Sequence, residues 1–275
     1  GATLAAGFEA GGTMTRLGAH LGIEWPVDLA DAAMQVHLAG GPTVTRWTAA
    51  DRWADERLAA FGGSAESFWL WQERTAGDLW QVALAGVAWP PQSIAEIGGL
   101  AASGLQLATS DILHTLRLSL DAGRSLAAHL ERNRLLHRYV DGQLLIAAQA
   151  TSGRVNALYG AAALDMPRRG VAHVRGGTGR IAEELATAVR GHGGDLRFRQ
   201  KVTMARPARK GWLVQTEKGL AVEADAVLFN LPPWDAARLL GEHAPQKLRA
   251  ARPPADGWGA FMVYAGIDES ILPEA

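Results

Sequence analysis

The sequence has no cysteine, which excludes disulfides, zinc–thiolate sites, a nucleophilic thiol and a thioether-attached prosthetic group within these 275 residues. It also lacks an excess of either charge: 27 Lys and Arg against 28 Asp and Glu leave a net charge of -1. Without a basic field there is no footprint for a nucleic-acid partner, and none is expected. Long hydrophobic runs are missing too. No window approaches the roughly 18 uncharged apolar residues of a membrane span, and no basic, apolar leader opens the chain. The expectation is a cytoplasmic protein, with peripheral membrane contact left open and the oligomeric state undetermined. The motifs HExxH, GxSxG and GxxxxGK are absent, so zinc protease, serine hydrolase and P-loop chemistries have no anchor. The eight histidines are scattered, no metal site is expected, and His129 and His137, eight positions apart, read as surface groups.

What the sequence does have is a glycine-rich run, Val171 to Ala182 (VAHVRGGTGRIA), leading into a helical stretch that ends near Arg190. Gly177, Gly179 and Ala182 fit the GxGxxG/A spacing with which a backbone turns tightly against a pyrophosphate at a helix N-terminus. That motif needs a buried parallel strand in front of it and an acidic residue about 20 positions on. The strand candidate is only Val171 to Val174, broken by His173, and the downstream stretch carries Arg197, Arg199 and Lys201 instead. Two readings follow: a structural glycine turn opening an ordinary helix, or an NADP-dependent dehydrogenase using Gly177 and Gly179.

Along the chain, the pattern predicts a short helix near Met14 to Leu21. A hairpin then follows, in which Met34, Val36 and Leu38 alternate with Gln35 and His37 before the turn Ala39 to Pro42 and a strand Thr43 to Trp47. From Asp51 to about Ala163 the pattern is helical. Phe68, Trp71, Thr75, Leu79 and Val82 share a face behind Ser64 as N-cap, and Trp89 to Pro91 breaks that helix. Further helical stretches are predicted at 94–107, 112–120 and 124–139, the last through Leu126, Leu130 and Leu136. A helix from Gly179 to Arg190 closes on the turn Gly191 to Gly194. Strands are predicted at 195–200, 212–216, 220–223 and 226–230, with Pro232 and Pro233 stopping the last and Phe261 to Tyr264 resuming strand-like sequence. The fold class expected is α+β: a mixed sheet with a helical cap, plus a helix and β-meander.

Taken in order, Gly176 and Gly177 with a helix, Gly193 and Gly194, Lys201 to Thr203, a meander, and Ala224 to Pro233 (ADAVLFNLPP) resemble the FAD-dependent phytoene desaturase and carotenoid isomerase-like oxidoreductases, within the flavin amine-oxidase superfamily. The opening Gly1 to Gly12, the stretch Leu21 to Pro26 and the Trp-rich run Phe61 to Trp80 are similar to the same group. The resemblance implies a substrate domain with a helical cap over 1–165, a partial FAD-binding domain over 166–240, and a return to the substrate domain over 241–275. It implies FAD as cofactor of the full-length enzyme, its pyrophosphate held by a GxGxxG segment ahead of Gly1. The present chain would be an internal piece, inactive and without FAD by itself.

The resemblance also assigns residues. Val202 would offer main-chain groups to the adenine of FAD, Asn230 would end a strand beside the cofactor, and Gly11 and Gly12 would approach the flavin. Ten tryptophans exceed ordinary usage. Most should be core, while Trp25, Trp47, Trp69 and Trp89 are candidates to line a tunnel for a long polyene, since aromatic rings suit an apolar ligand. No catalytic acid or base is identified. A non-catalytic module that binds an apolar ligand or docks on a membrane is the reading of a different class.

Overall fold

The computed structural model describes residues 5–84, 118, 120–130, 132–255 and 268. Trp89, the Trp89 to Pro91 break, the helical stretch 94–107, nearly all of 112–120 and the strand Phe261 to Tyr264 lie outside the described residues. The chain divides into two compact units, residues 1–188 and 189–275.

The first unit opens with α1 (Thr13–Leu21), which stops where Gly22 takes a left-handed φ of 68°. β1 (Val27–Leu29) follows, then the hairpin of β2 (Ala32–His37) and β3 (Thr43–Trp47), as the alternation predicts. Val44 and Arg46 are the inward positions of β3. Next come α2 (Ala50–Phe61) and α3 (Glu66–Leu84), joined by a 3-10 turn at Gly63–Ala65. Ser64 sits inside that turn and does not cap α3, because the chain is already helical one residue before Glu66. Arg57 of α2 holds both oxygens of Glu66 at 3.1 and 3.0 Å and reaches Glu73 at 2.6 Å.

The predicted continuous helix over 124–139 is two pieces. Leu126–His129 is a 3-10 turn, the chain extends at Leu130, and α4 (Arg134–Ala147) starts behind Asn133. The Asn133 side chain accepts from the N–H groups of Leu135 and Leu136, both at 3.1 Å, so a capping amide wins over the leucine spacing. Asn156 caps α5 (Ala157–Asp165) in the same way. A 3-10 turn (Met166–Arg168), β4 (Ala172–Val174) and α6 (Gly179–Gly191) complete the order.

The core of this unit is aromatic. Trp53, Trp69, Phe61, Phe68 and Tyr139 are buried together with Val44, Leu126, Leu136 and Leu144. Trp69 meets Trp53 edge-on at 5.1 Å, and Phe61 meets Tyr139 at 5.1 Å. Contacts of this kind add about 0.5–1.5 kcal/mol each beyond the area they bury. Gln72 donates to the Ala161 carbonyl at 2.8 Å and ties α3 to α5.

The second unit is built on an antiparallel meander of β5 (Val202–Pro207), β6 (Trp212–Thr216) and β7 (Ala221–Ala224), in that order. Then come α7 (Pro233–Leu240) and α8 (Gln246–Ala250). Ala205, Leu240 and Ala244 form its small core with Trp212, Val214 and Phe229 packed against them. The predicted strands at 195–200 and 226–230 do not form. Arg199 takes a φ of +55°, which an extended strand does not allow. Leu228 is 97% exposed, and no described strand pairs with either segment. A strand pattern without a neighbour leaves backbone groups to water. The α+β class holds, and every pairing among the described residues is antiparallel.

Candidate functional site

β4, the strand before the glycine run, pairs antiparallel with β1, with Asp28 opposite His173 and Leu29 opposite Ala172. Gly176 and Gly177 adopt φ of +79° and +88°, and the Gly177 N–H donates to Val174 O at 2.9 Å. The run is therefore a left-handed turn between an antiparallel strand and a helix. A dinucleotide loop follows a parallel strand in a βαβ unit, so the NADP reading of Gly177 and Gly179 loses its structural context.

Val202 begins β5 and lies opposite Thr216. The Thr216 N–H donates to Leu220 O, on the β7 side, at 2.9 Å, while the Glu217 N–H donates to Lys201 O at 2.9 Å. Opposed antiparallel residues either exchange both hydrogen bonds or neither. Val202 is thus at a non-hydrogen-bonded position, with its N–H and C=O turned away from β6, toward the side of β5 on which no described strand pairs. A main-chain donor and acceptor at this edge could serve an adenine, which needs one of each.

The other expected cofactor residues fall as follows. Asn230 is exposed in irregular chain rather than at a strand end. Gly11 has a φ of +75° and open space where a Cβ would stand. At Gly12 a Cβ would collide with Gly7 O and meet the Glu9 carboxylate at 2.6 Å, so the turn's own packing explains that glycine. The Gly12 N–H closes the turn on Glu9 O at 2.8 Å.

The tryptophans divide more sharply. Trp69 is 1% exposed and is core. Trp25 is anchored by its indole N–H on Met14 O at 2.7 Å, edge-on to Phe8. Trp47 lies under the Arg52 guanidinium, 3.3 Å from the ring centroid, and its Nε1 reaches Glu56 at 3.3 Å. None of these three lines any of the cavities described below, and Trp89 lies outside the described residues. The tryptophan that does line the apolar cavity is Trp80.

That cavity, about 460 Å³, lies in the first unit. Its wall is Met34 from β2, Trp80 from α3, Gln143, Ile146 and Ala147 from α4, Tyr159, Ala162 and Ala163 from α5, and Met166 and Pro167. Among the described residues no charged side chain lines it. The Tyr159 hydroxyl donates to Ala147 O at 3.2 Å, which fixes its ring at the mouth, where Ile146 is 66% exposed. A volume in the usual range for small-molecule sites, an apolar lining and a polar exception at Gln143 are the marks of a ligand pocket. The sequence signal for it was weak: Gln143 and Ile146 stand three positions apart on α4, an ordinary helical spacing.

Charge collects behind this wall. Asp165, 1% exposed, accepts from Arg168 Nε at 2.6 Å, while its Oδ2 has no hydrogen bond. Burial raises the Asp165 carboxyl above its ordinary value against the pull of Arg168. Arg46, 1% exposed, lies over the Trp53 ring at 4.2 Å, and burial lowers it to about 10. Burial likewise pushes the Tyr139 hydroxyl up, opposed by Arg46. The Arg169 guanidinium covers the other side of this corner, 4.7 Å over Trp80.

A second cavity, about 430 Å³, carries Asp121, Arg124 and His129 in its wall beside Phe68, Trp71 and Leu120. His129 is not the surface group its sequence position implied. Its ring stacks on Trp71 at 3.7 Å and its Nε2 lies 2.8 Å from Asp121, whose other oxygen accepts from Trp71 Nε1 at 3.0 Å. The residues that bring it inward, Trp71 and Asp121, are 58 and 8 positions away, out of reach of local periodicity. Among the described residues no group of three or more His, Asp or Glu is placed to hold a metal ion. No helix among them is long and apolar enough to cross a membrane.

Residues 100–265, more than half the chain and inclusive of the glycine turn, Val202 and Asn230, match the sequence model of the flavin containing amine oxidoreductases. The match is to that family as a whole. No curated protein matches the chain.

Proposed function

The chain belongs to the flavin containing amine oxidoreductase family, and on that premise we propose that it serves an FAD-dependent oxidoreductase acting on a long apolar, polyene-like substrate by desaturation or isomerisation. The observation that supports the substrate side is the cavity of the first unit, whose wall, among the described residues, offers no charged group to recognise an ammonium or a carboxylate. A protonated amine entering it would lose its hydration without gaining a counter-ion, at a cost of several kcal/mol. An apolar chain would gain about 25 cal/mol for each Å² it buries.

When bound, FAD supplies the acceptance or return of hydride. The residues of the second unit that would hold it are Val202, through its main-chain N–H and C=O toward the adenine, and, on the resemblance, Asn230. The remaining task of the protein is to bind the substrate, exclude water and orient the carbons that react. Trp80, Ile146 and Met166 would take the apolar body, and Tyr159, fixed on Ala147, would shape the entrance.

The test is turnover. The protein at full gene length, loaded with FAD, is incubated with an acyclic polyene and its absorbance followed as conjugation changes. Change of the polyene, slowed by Ala147→Phe at the cavity mouth, is the expected result. An FAD-loaded protein that leaves polyenes untouched and oxidises a primary amine instead would overturn the substrate reading.

A further inference from the structure

The second cavity, about 430 Å³, joins an apolar surface of Phe68, Trp71 and Leu120 to a group of three charged or titratable side chains, Asp121, Arg124 and His129. Its acidic member is committed to the fold. Asp121 is 3% exposed, and its two oxygens accept from His129 Nε2 at 2.8 Å and from Trp71 Nε1 at 3.0 Å. A cation entering the cavity would meet no unengaged carboxylate. The basic members are not committed in this way. The Arg124 side chain is 56% exposed and makes no hydrogen bond among the described residues; its one ion pair, to Asp121, is long at 3.7 Å. His129 ends the 3-10 turn Leu126–His129, and its ring lies flat on Trp71, with the planes 10° apart. Because a carboxylate only accepts, the hydrogen of the neutral ring sits on Nε2. The other nitrogen, Nδ1, diverges from Nε2 and so turns away from Asp121. It has no hydrogen bond among the described residues, and the His129 side chain remains 18% exposed in the cavity wall.

We propose that this cavity binds a monocarboxylate on a small apolar body, held between the Arg124 guanidinium and His129 Nδ1, and that a proton is taken up on His129 as it binds. The proposal stands apart from the apolar cavity and from the flavin chemistry. A neutral ring would offer the ligand's carboxylate a lone pair, which repels it, so the complex forms with the imidazolium, both of whose nitrogens donate. The charged groups that line the cavity around His129 are Asp121, on Nε2, and Arg124; Ser67, Phe68 and Trp71, facing it from α3, carry no charge. The charges then count to one. Arg124 and the imidazolium against Asp121 leave +1, which a single carboxylate cancels. Proton and ligand arrive together because each supplies the counter-charge of the other. The apolar surface of Phe68 and Leu120 takes the rest of the ligand, and the volume is that of a small-molecule site.

The experiment is isothermal titration calorimetry of the full chain with benzoate and with its uncharged counterpart benzamide, on the wild type, Arg124→Gln and His129→Gln. Benzoate is titrated at pH 6 and pH 8, and at each pH in two buffers of different ionisation enthalpy, which counts the protons taken up. At pH 6 benzoate should bind about tenfold more tightly than benzamide, the size of one charge-assisted hydrogen bond. Between pH 6 and pH 8, the range in which an imidazole loses its charge, benzoate should weaken by about tenfold with net proton uptake, while benzamide stays level. Arg124→Gln, at an exposed position, should keep its Tm and bring benzoate down to benzamide. His129→Gln retains a donor for Asp121 and should abolish both the pH dependence and the proton uptake. Equal binding of benzoate and benzamide, or no binding of either, would overturn the site. Benzoate binding without proton uptake would overturn the role of His129, and unchanged affinity in a folded Arg124→Gln would overturn the role of Arg124. Where His129→Gln does not fold, the wild-type proton count and Arg124→Gln decide by the same criteria.

Discussion

Val202 faces Thr216 across β5 and β6 at a position where neither residue bonds the other, so the Val202 N–H and C=O look away from β6, toward the side of β5 on which no described strand pairs. Proline is tolerated at the first residue of an edge strand when its missing N–H would face outward. Val202→Pro should therefore leave Tm within a few degrees. If that N–H meets the adenine, FAD affinity should fall by up to about tenfold, one net hydrogen bond. Fluorescence titration of the full-length protein with FAD reads this, and a large loss of Tm without loss of FAD affinity would place the role of Val202 in the fold.

Gly11 and Gly12 are neighbours with different requirements. Gly12→Ala drives a methyl into Gly7 O and the Glu9 carboxylate, and should lower stability by about 1–3 kcal/mol, in the range of an overpacked site. Gly11→Ala meets no atom within 4 Å and pays for its positive φ, about 1 kcal/mol. Denaturant unfolding of both variants checks the order.

Trp69 and Trp80 separate core from cavity. Trp69→Ala removes a ring that is 1% exposed and should cost about 3–5 kcal/mol. Trp80→Ala widens the cavity wall, and its main effect should be weaker binding of apolar probes. If Trp80→Ala leaves binding intact and Trp69→Ala abolishes it in a folded protein, the tryptophans have been assigned the wrong way round.

Asp165 gives a pH dependence with a definite sign. Its folded-state pKa is raised by burial, so the fold binds its proton more tightly than the unfolded chain does. The contribution is fully present below the unfolded value near pH 4 and is lost as pH rises through the folded value. Asp165→Asn should flatten stability against pH on the alkaline side of about pH 4, read by Tm across a buffer series. A wild-type and variant difference that grows toward lower pH would contradict the assignment.

Local pattern made the hairpin, α1, α3 and α6 legible, because each rests on residues within a few positions of one another: the alternation of Met34, Val36 and Leu38, or the glycines at 22 and 191–194. Three failures have two causes. Asn133 outbid the leucine spacing of 124–139 through a cap, and the segments at 195–200 and 226–230 had strand composition without a partner to complete them. The antiparallel pairing of β4 with β1 joins residues about 145 positions apart, which no local signal encodes. Arg46 reads as an outward polar residue in a hairpin, yet it is buried over the Trp53 ring, a contact only the tertiary fold supplies. At the site, the family resemblance led to Val202, whereas the cavity residues Trp80, Gln143 and Ile146 were masked by their ordinary helical spacing.

The central claim is that this chain serves a flavin enzyme, and flavin content tests it most directly. The protein at full gene length, purified and saturated with FAD, should retain the cofactor through gel filtration, show its visible absorbance, and release FAD on denaturation. A folded, monodisperse protein that passes through the same column with no flavin, and shows no FAD binding in titration, would contradict the account.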